Sequence, residues 1–322
     1  MRLTTLLIAA FVGAVLPTSA SAQADYPSKP IRFILGFGAG GGTDILARIV
    51  AQKLTENIGQ PVVVENRTGA GGRIAIEFVQ SQPADGHTVA IGAIGQMAVT
   101  AAIMPNLSFH PTRTLIPVAM LSSYPLVISG PANAIKTVKD LVAYGKANPD
   151  KANYPTTSPT FTIASELFKL KTGIPGQAIP YRSSNEMMLS VVGGQSLYVF
   201  ADSAVTVPLA QANKVRALAV ANPSRISELP DVPTLPEAGL ADVDVKPQWN
   251  GAFVPVGTPP AVVKKLEAEL RKTLEDKTVR EKIRAITYYP EGAGGEAFRA
   301  RIDGDIKIFS DVVKAANLKF EQ

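Results

Sequence analysis

Ile31-Arg32-Phe33-Ile34-Leu35-Gly36-Phe37-Gly38-Ala39-Gly40-Gly41-Gly42-Thr43-Asp44 is the stretch from which the fold is read. A short β-prone run follows Pro30 and enters a glycine loop. After Thr43-Asp44 come Ile45, Leu46, Ile49, Val50 and Leu54, apolar positions that share one helix face, up to Gly59. The unit then repeats. Pro61-Val62-Val63-Val64-Glu65-Asn66 reads as a strand, and Gly69-Ala70-Gly71-Gly72 opens a helix through Ile74, Ile76, Phe78 and Val79. Asp85-Gly86 is a turn and Thr88 to Ile91 a third strand. Strand and helix alternating in this rhythm signal βαβ units around a parallel sheet, hence an α/β fold.

A second α/β unit follows. Leu126 to Ile128 reads as a strand, Val138 to Tyr144 and Thr162 to Leu170 as helices, and Ile179-Pro180-Tyr181 as a strand end. A helix from Ser184 to Val192 stops at Gly193-Gly194, and Leu197 to Phe200 and Val215 to Val220 are strands. Asn222 to Gly239 reads as a surface loop. Trp249 to Val256 is again β-prone, Ala261 to Leu274 is an amphipathic helix, and Phe298 to Ala316 a C-terminal one. Two beads and two interleaved lobes both fit this order. Either arrangement leaves a cleft at the carboxyl ends of the strands, where α/β ligand sites sit.

Composition removes whole classes of function. With 322 residues the chain has one large domain or two ordinary ones. No cysteine is present, which excludes disulfides, thiol catalysis, Cys-ligated zinc and iron–sulfur clusters. Two histidines, His87 and His110, do not make a multi-histidine metal site. The net charge of +5 comes from interleaved basic and acidic residues, so no nucleic-acid partner is indicated.

The first residues read as an address. Arg2, the apolar run Leu6 to Leu16 and Ala20-Ser21-Ala22 have the order of a secretory signal peptide, with cleavage expected after Ala22. About eleven apolar residues are too few to span a ~30 Å hydrocarbon core. Export to the periplasm follows, and ATP and NAD are scarce there.

The glycine loop carries the chemistry and admits three readings. Gly36 to Gly41 fits G-x-G-x-x-G literally, between a strand and a helix, and Glu65 ends the next strand where a ribose-binding acid belongs. That is the signature of an exported dinucleotide-binding oxidoreductase, the alternative function, and export argues against it. Free N–H groups at a helix N-terminus favour an anion generally, so a carboxylate suits the loop as well as a phosphate. The third reading is a tight turn with no ligand. Asp44 either caps the helix or meets a cationic group.

A family resemblance runs through the chain in order. Pro27-Ser28-Lys29-Pro30-Ile31-Arg32, Gly41-Gly42-Thr43-Asp44, Gly59-Gln60-Pro61-Val62-Val63-Val64-Glu65-Asn66-Arg67 and Gly69-Ala70-Gly71-Gly72 carry its first part. Ala84-Asp85-Gly86, Pro180-Tyr181-Arg182, Gly193-Gly194-Gln195 and Arg216-Ala217-Leu218-Ala219-Val220 continue it. Leu229-Pro230-Asp231-Val232-Pro233-Thr234-Leu235-Pro236-Glu237-Ala238-Gly239, Trp249-Asn250-Gly251 and Gly257-Thr258-Pro259 complete it. The chain resembles the Bug-type periplasmic solute-binding proteins, receptors of tripartite tricarboxylate transporters. The resemblance implies a two-lobe, Venus-flytrap periplasmic-binding-protein fold with a mixed or parallel sheet in each lobe. The lobes would be 26–126 with 250–322, and 127–249, crossed near Tyr124–Ser129 and Trp249–Val256. It implies no catalysis and no cofactor. The expected ligand is a small carboxylate, the expected partner the membrane subunits of a transporter, or a sensor, and the chain is expected to be a monomer.

The resemblance also points to a site. One carboxylate would be gripped by Phe37, Gly38, Ala39, Gly40, Gly41, Thr43 and Asp44, and by the loop after the third strand, Gly92 to Met97, with Ile94, Gly95 and Gln96. A second-lobe loop, Ser158 to Thr162, replaces the family's small polar residue by Phe161, flanked by Ser158 and Thr160. Phe161 either walls the site, favouring aromatic or apolar acids, or packs beneath the loop. Arg182 is placed to pair with a second carboxylate, Ser183 and Ser184 offer hydroxyls, and Asp202 sits at the cleft rim. Trp249 reads as a hinge-packing residue ahead of a ligand stack. No serine sits in G-x-S-x-G, so a hydrolase is not indicated.

Overall fold

The computed structural model describes residues 26–315 apart from 105, 134 and 244. The expected leader, its cut after Ala22, and Ala316 lie outside the described residues.

The opening stretch forms β1 (Ile31–Leu35), the glycine turn and α1 (Gly42–Ile58). Its strand is almost wholly buried, as a strand covered on both faces must be. The helix stops at Gly59, whose φ of 69° makes the left-handed C-cap, its N–H bonding Thr55 O. Then come β2 (Val62–Asn66), α2 (Arg73–Gln80) and β3 (Thr88–Ala93), with β2 and β3 both pairing parallel to β1.

Three elements follow that local reading misses. The apolar run past β3 does not become a loop: Gly95–Val99 forms a π-helical turn leading into α3 (Thr100–Ile103). Residues 95–99 are all buried, which holds the chain in a helix against α10. After it, β4 (Leu115–Tyr124) is ten residues long despite Pro117.

The chain then leaves the first sheet at Pro125. β5 (Leu126–Pro131) is the centre of a second sheet, followed by α4 (Val138–Ala147), β6 (Tyr154–Thr156), α5 (Pro159–Thr172) and β7 (Ala178–Pro180). Next come α6 (Ser184–Val192), β8 (Val199–Asp202), α7 (Ser203–Gln211) and β9 (Val215–Ala221). β5 pairs antiparallel with β8 and β9, and β6 pairs parallel with β7, so this lobe is mixed. The expected loop Ser158 to Thr162 is instead the N-cap and first turn of α5, with Pro159 at its start.

The return to the first sheet is β10 (Gln248–Pro255), inserted antiparallel between β3 and β4. The second crossing therefore lies within 222–247, ahead of Trp249. Then come α8 (Pro260–Glu275), α9 (Lys277–Ala285), β11 (Tyr289–Pro290) and α10 (Gly295–Ala315). The sheet order is β11-β4-β10-β3-β1-β2. One apolar layer, with Ile34, Ile76, Met97, Phe253, Phe298 and Phe309, packs α2 and α10 on one face. The other layer joins α1 and α8 to the second lobe through Tyr124, Phe161, Phe200 and Tyr288. Trp249 belongs to the first layer. It is fully buried, meets Phe298 edge-on at 4.9 Å and donates from Nε1 to Asp305 at 2.8 Å, so it packs the sheet and touches no cavity.

Candidate ligand-binding site

The order β2-β1-β3 makes the gap between β1 and β3 the switch point of the sheet, where crossover helices depart to opposite faces. The ends of both strands meet the second lobe there. A small chamber of about 20 Å³ lies between them, room for one water or one small polar group. Its wall takes Phe37, Gly41, Gly42 and Thr43 from the first strand's exit, and Ala93, Ile94 and Gly95 from the third's. Thr157, Ser158, Thr160 and Phe161 come from the start of α5, Ser184 from α6 and Asp202 from the end of β8, with Tyr124 and Gln248 beside the crossings.

Four helices begin at this wall: α1, α5, α6 and α7, whose N-cap is Asp202. First-turn amides have no partner within their own helix, and each helix end carries a partial positive charge. Three side-chain atoms in the wall, Thr160 Oγ1, Asp202 Oδ1 and Gln248 Oε1, are buried without a hydrogen-bond partner among the described residues. Buried polar groups are ordinarily paired, so these are poised for something that enters.

The glycine turn is held by Asp44. Its carboxylate accepts from Arg48 (2.9 and 3.0 Å), from Asn66 Nδ2 (2.9 Å) and from the Gly40 N–H (3.1 Å). Burial pushes this carboxyl up, but those donors outweigh it and hold it below the ordinary range. Asp44 thus braces the turn and has no face left for a ligand cation. Gly36 must be glycine because the turn of 69–72 lies against it: a Cβ there would come 2.6 Å from Gly72 Cα.

The lobes are closed on one another. Gly38 N–H donates to Arg182 O (2.9 Å), and Ser203 Oγ donates to Thr287 O (3.0 Å). Asp202 is 3% exposed. Loss of water raises its carboxyl pKa, against Ser184, Tyr288 and the Val205 amide, which favour the charged form. Tyr288 stacks on Tyr124 at 4.3 Å, and burial pushes both hydroxyls up.

Outside the chamber the cleft widens to a cavity of about 500 Å³ that shares Phe37, Thr157 and Ser158 with it. Its walls mix apolar groups (Ile103, Met104, Pro159, Tyr181), the glycine turn 69–72, hydroxyls, and the side chains of Arg73 and Arg182.

Most of the expected residues converge here. Phe37, Gly41, Thr43, Ile94, Gly95, Ser158, Thr160, Phe161 and Asp202 line the chamber, and Arg182 lines the outer cavity. Five differ. Ala39 and Gly40 lie on the exposed outer side of the turn, because Asp44 draws Gly40 away from the cleft. Gly38 makes the interlobe bond instead of lining a cavity. Gln96 is fully buried beneath the turn, donating from Nε2 to Gly72 O (2.6 Å), so it supports the glycines. Ser183 Oγ caps α6 by accepting from Glu186 N–H (3.2 Å). Gln248, Tyr288 and Arg73 carry no sequence signal, since each reaches the site only through packing of distant elements. Glu65, the residue at the ribose position, is paired with Arg32 at 2.6 and 2.8 Å, and the chamber is far too small for a pyrophosphate.

A family model described as the tripartite tricarboxylate transporter family receptor matches residues 46–294. BugT of Bordetella pertussis is 31% identical over 329 aligned positions, covering 100% of both chains. Among solved structures, MatC from Rhodopseudomonas palustris with bound malate has a TM-score of 0.84 at 28% identity, covering 89% of this chain and 100% of its own. An R. palustris protein with adipate has a TM-score of 0.85 at 29% identity, covering 91% of this chain and 99% of its own. The matched family is one of receptors, and the periplasmic binding protein BugD, similar at a TM-score of 0.87 and 27% identity, is likewise no enzyme, which retires the oxidoreductase alternative. A two-lobe mixed α/β fold closed on a small switch-point chamber, and a family match over most of its length, place this chain in the tripartite tricarboxylate transporter receptor family.

Proposed function

We propose that the protein is a periplasmic receptor that closes its two lobes, 26–125 with the 248–315 return in one and 126–247 in the other, over a small organic acid and presents it to the membrane subunits of a transporter or to a sensor. The observation that carries this reading is the convergence of four helix starts, from both lobes, on one small chamber with unpartnered polar atoms. An anion there is held by both lobes at once, so it stabilises the closed form by its differential affinity. The malate and adipate of the two similar structures support a carboxylate as that anion.

The finer ligand class follows from the outer cavity. A carboxylate fills the chamber, and the rest of the acid extends into about 500 Å³ of mostly apolar wall, with Phe37 at the junction and Arg182 in reach of a distal charge. This favours aromatic or longer-chain acids over compact ones. A thermal-shift panel of the purified protein tests it, with citrate, malate, aspartate, glutamate, adipate, nicotinate, benzoate and terephthalate, and NAD as control. A ligand at 100 times its Kd adds ~2.7 kcal/mol, a shift of several degrees. Adipate, benzoate or terephthalate outranking citrate and malate is the expected result. A shift from NAD alone would end the receptor reading.

A further inference from the structure

A carboxylic side chain forms part of the wall of a chamber whose other features suit an anion, and the two conflict unless a proton lies between them. Asp202 is 3% exposed, and its Oδ1 has no hydrogen-bond partner among the described residues. The groups around it come from six elements, and none is basic. They are Gly42 of α1, Tyr124 of β4, Ser184 of α6, the Val205 amide of α7, Gln248 of β10, and Tyr288 just ahead of β11. A Cβ on Gly42 would fall 2.5 Å from Asp202 Oδ1 and 1.9 Å from the Tyr288 hydroxyl, so the start of α1 closes directly onto this carboxyl. Two carboxylates sharing a dry site do not both ionise.

We infer that Asp202 is the specificity-determining residue of the chamber, donating a proton-bearing hydrogen bond to the ligand's carboxylate. This rests on the carboxylate reading above. Closing over an ionised acid then requires Asp202 neutral, and where it is ionised in the free protein, one proton is taken from solvent on binding. The burial that raises its pKa acts in the same direction. The site accordingly takes acids without an amino group beside the bound carboxylate, because an ammonium would instead demand an ionised Asp202.

Calorimetric titration with malate, adipate and aspartate between about pH 6.5 and 9.5, where these acids are fully ionised, tests the inference. Among the described residues no other group around Asp202 titrates there, since burial pushes the Tyr124 and Tyr288 hydroxyls up. Wild-type affinity for malate or adipate should fall by up to tenfold per pH unit at the alkaline end. Asp202→Asn, an amide donor at every pH, should flatten the profile and bind tenfold or more tightly than wild type at the alkaline limit. Asp202→Ser serves the same purpose if the Asn variant does not fold. Parallel pH profiles for variant and wild type would overturn the inference. So would a variant weaker at every pH combined with a preference for aspartate over malate, which is the pattern of an ionised Asp202 gripping an ammonium. Binding of no acid by either protein would instead remove the carboxylate reading itself, and the inference with it.

Discussion

Gly95 is the point where closure can be tested by a single methyl group. It stands at the end of β3 and faces the first turn of α5 across the interlobe gap. A Cβ there would lie 2.5 Å from Thr160 Oγ1, 2.9 Å from Ser158 Oγ and 3.2 Å from Thr160 Cβ. Rotating Thr160 does not relieve the contact, since its Cβ stays in place and a β-branched side chain has few rotamers. Gly95→Ala therefore holds α5 away from β3. Overpacking of this kind costs about 1–3 kcal/mol, and here the cost falls on the closed form alone. Affinity for the tightest acid of the panel should drop ~5–150-fold, because ligand binds only as the lobes meet. Calorimetry measures the loss, and melting without ligand is the control, expected within about 1–2 °C of wild type, since the groups nearest the added methyl lie across the interlobe gap. Wild-type affinity in a folded Gly95→Ala protein would refute the chamber as the closing contact. A large fall in the ligand-free melting temperature would show instead that the two lobes pack as one body.

Further outcomes follow from the same geometry. Arg182→Ala and Arg73→Ala should each weaken adipate more than benzoate by ~1 kcal/mol, about fivefold, and salt should shrink the difference; equal losses for both acids would take the distal charge out of the outer cavity. Asp44→Asn should destabilise the fold by ~1.5–3 kcal/mol at neutral pH, seen in chemical denaturation, through loss of the charged bonds that brace the turn. The Asp44 carboxyl is held below its ordinary value, so its contribution is full above about pH 4 and is lost as pH falls through the folded-state value. The variant should show less acid-dependent loss of stability than wild type; an identical acid limb would remove that role. Trp249→Phe, which strips Asp305 of its indole donor at 2.8 Å, should cost ~1–3 kcal/mol of stability, and a drop in affinity larger than the drop in stability would return Trp249 to the ligand.

Local pattern alone carried the β1–glycine turn–α1 unit, the α/β class and the cleft at the strand ends, because periodicity, turn glycines and helix starts are written in neighbouring residues. The order of the family's motifs added the two-lobe arrangement. Local pattern failed where burial overrides it. Gly95–Val99 becomes helical against α10, β4 forms through Pro117, and Ser158–Thr162 coils into α5. It also missed that Gln96 Nε2 is taken by Gly72 O beneath the turn and that Ser183 Oγ caps α6 on the Glu186 amide. Gln248 and Tyr288 were beyond reach, since each is brought to the chamber by a strand or turn that returns from the far side of the chain. The sequence by itself determined most of the strands and helices and the anion-friendly glycine turn that opens α1. Only the tertiary structure decided which helix starts meet across the lobes and that the wall where they meet contains a buried carboxyl, because those juxtapositions depend on contacts between residues far apart in sequence.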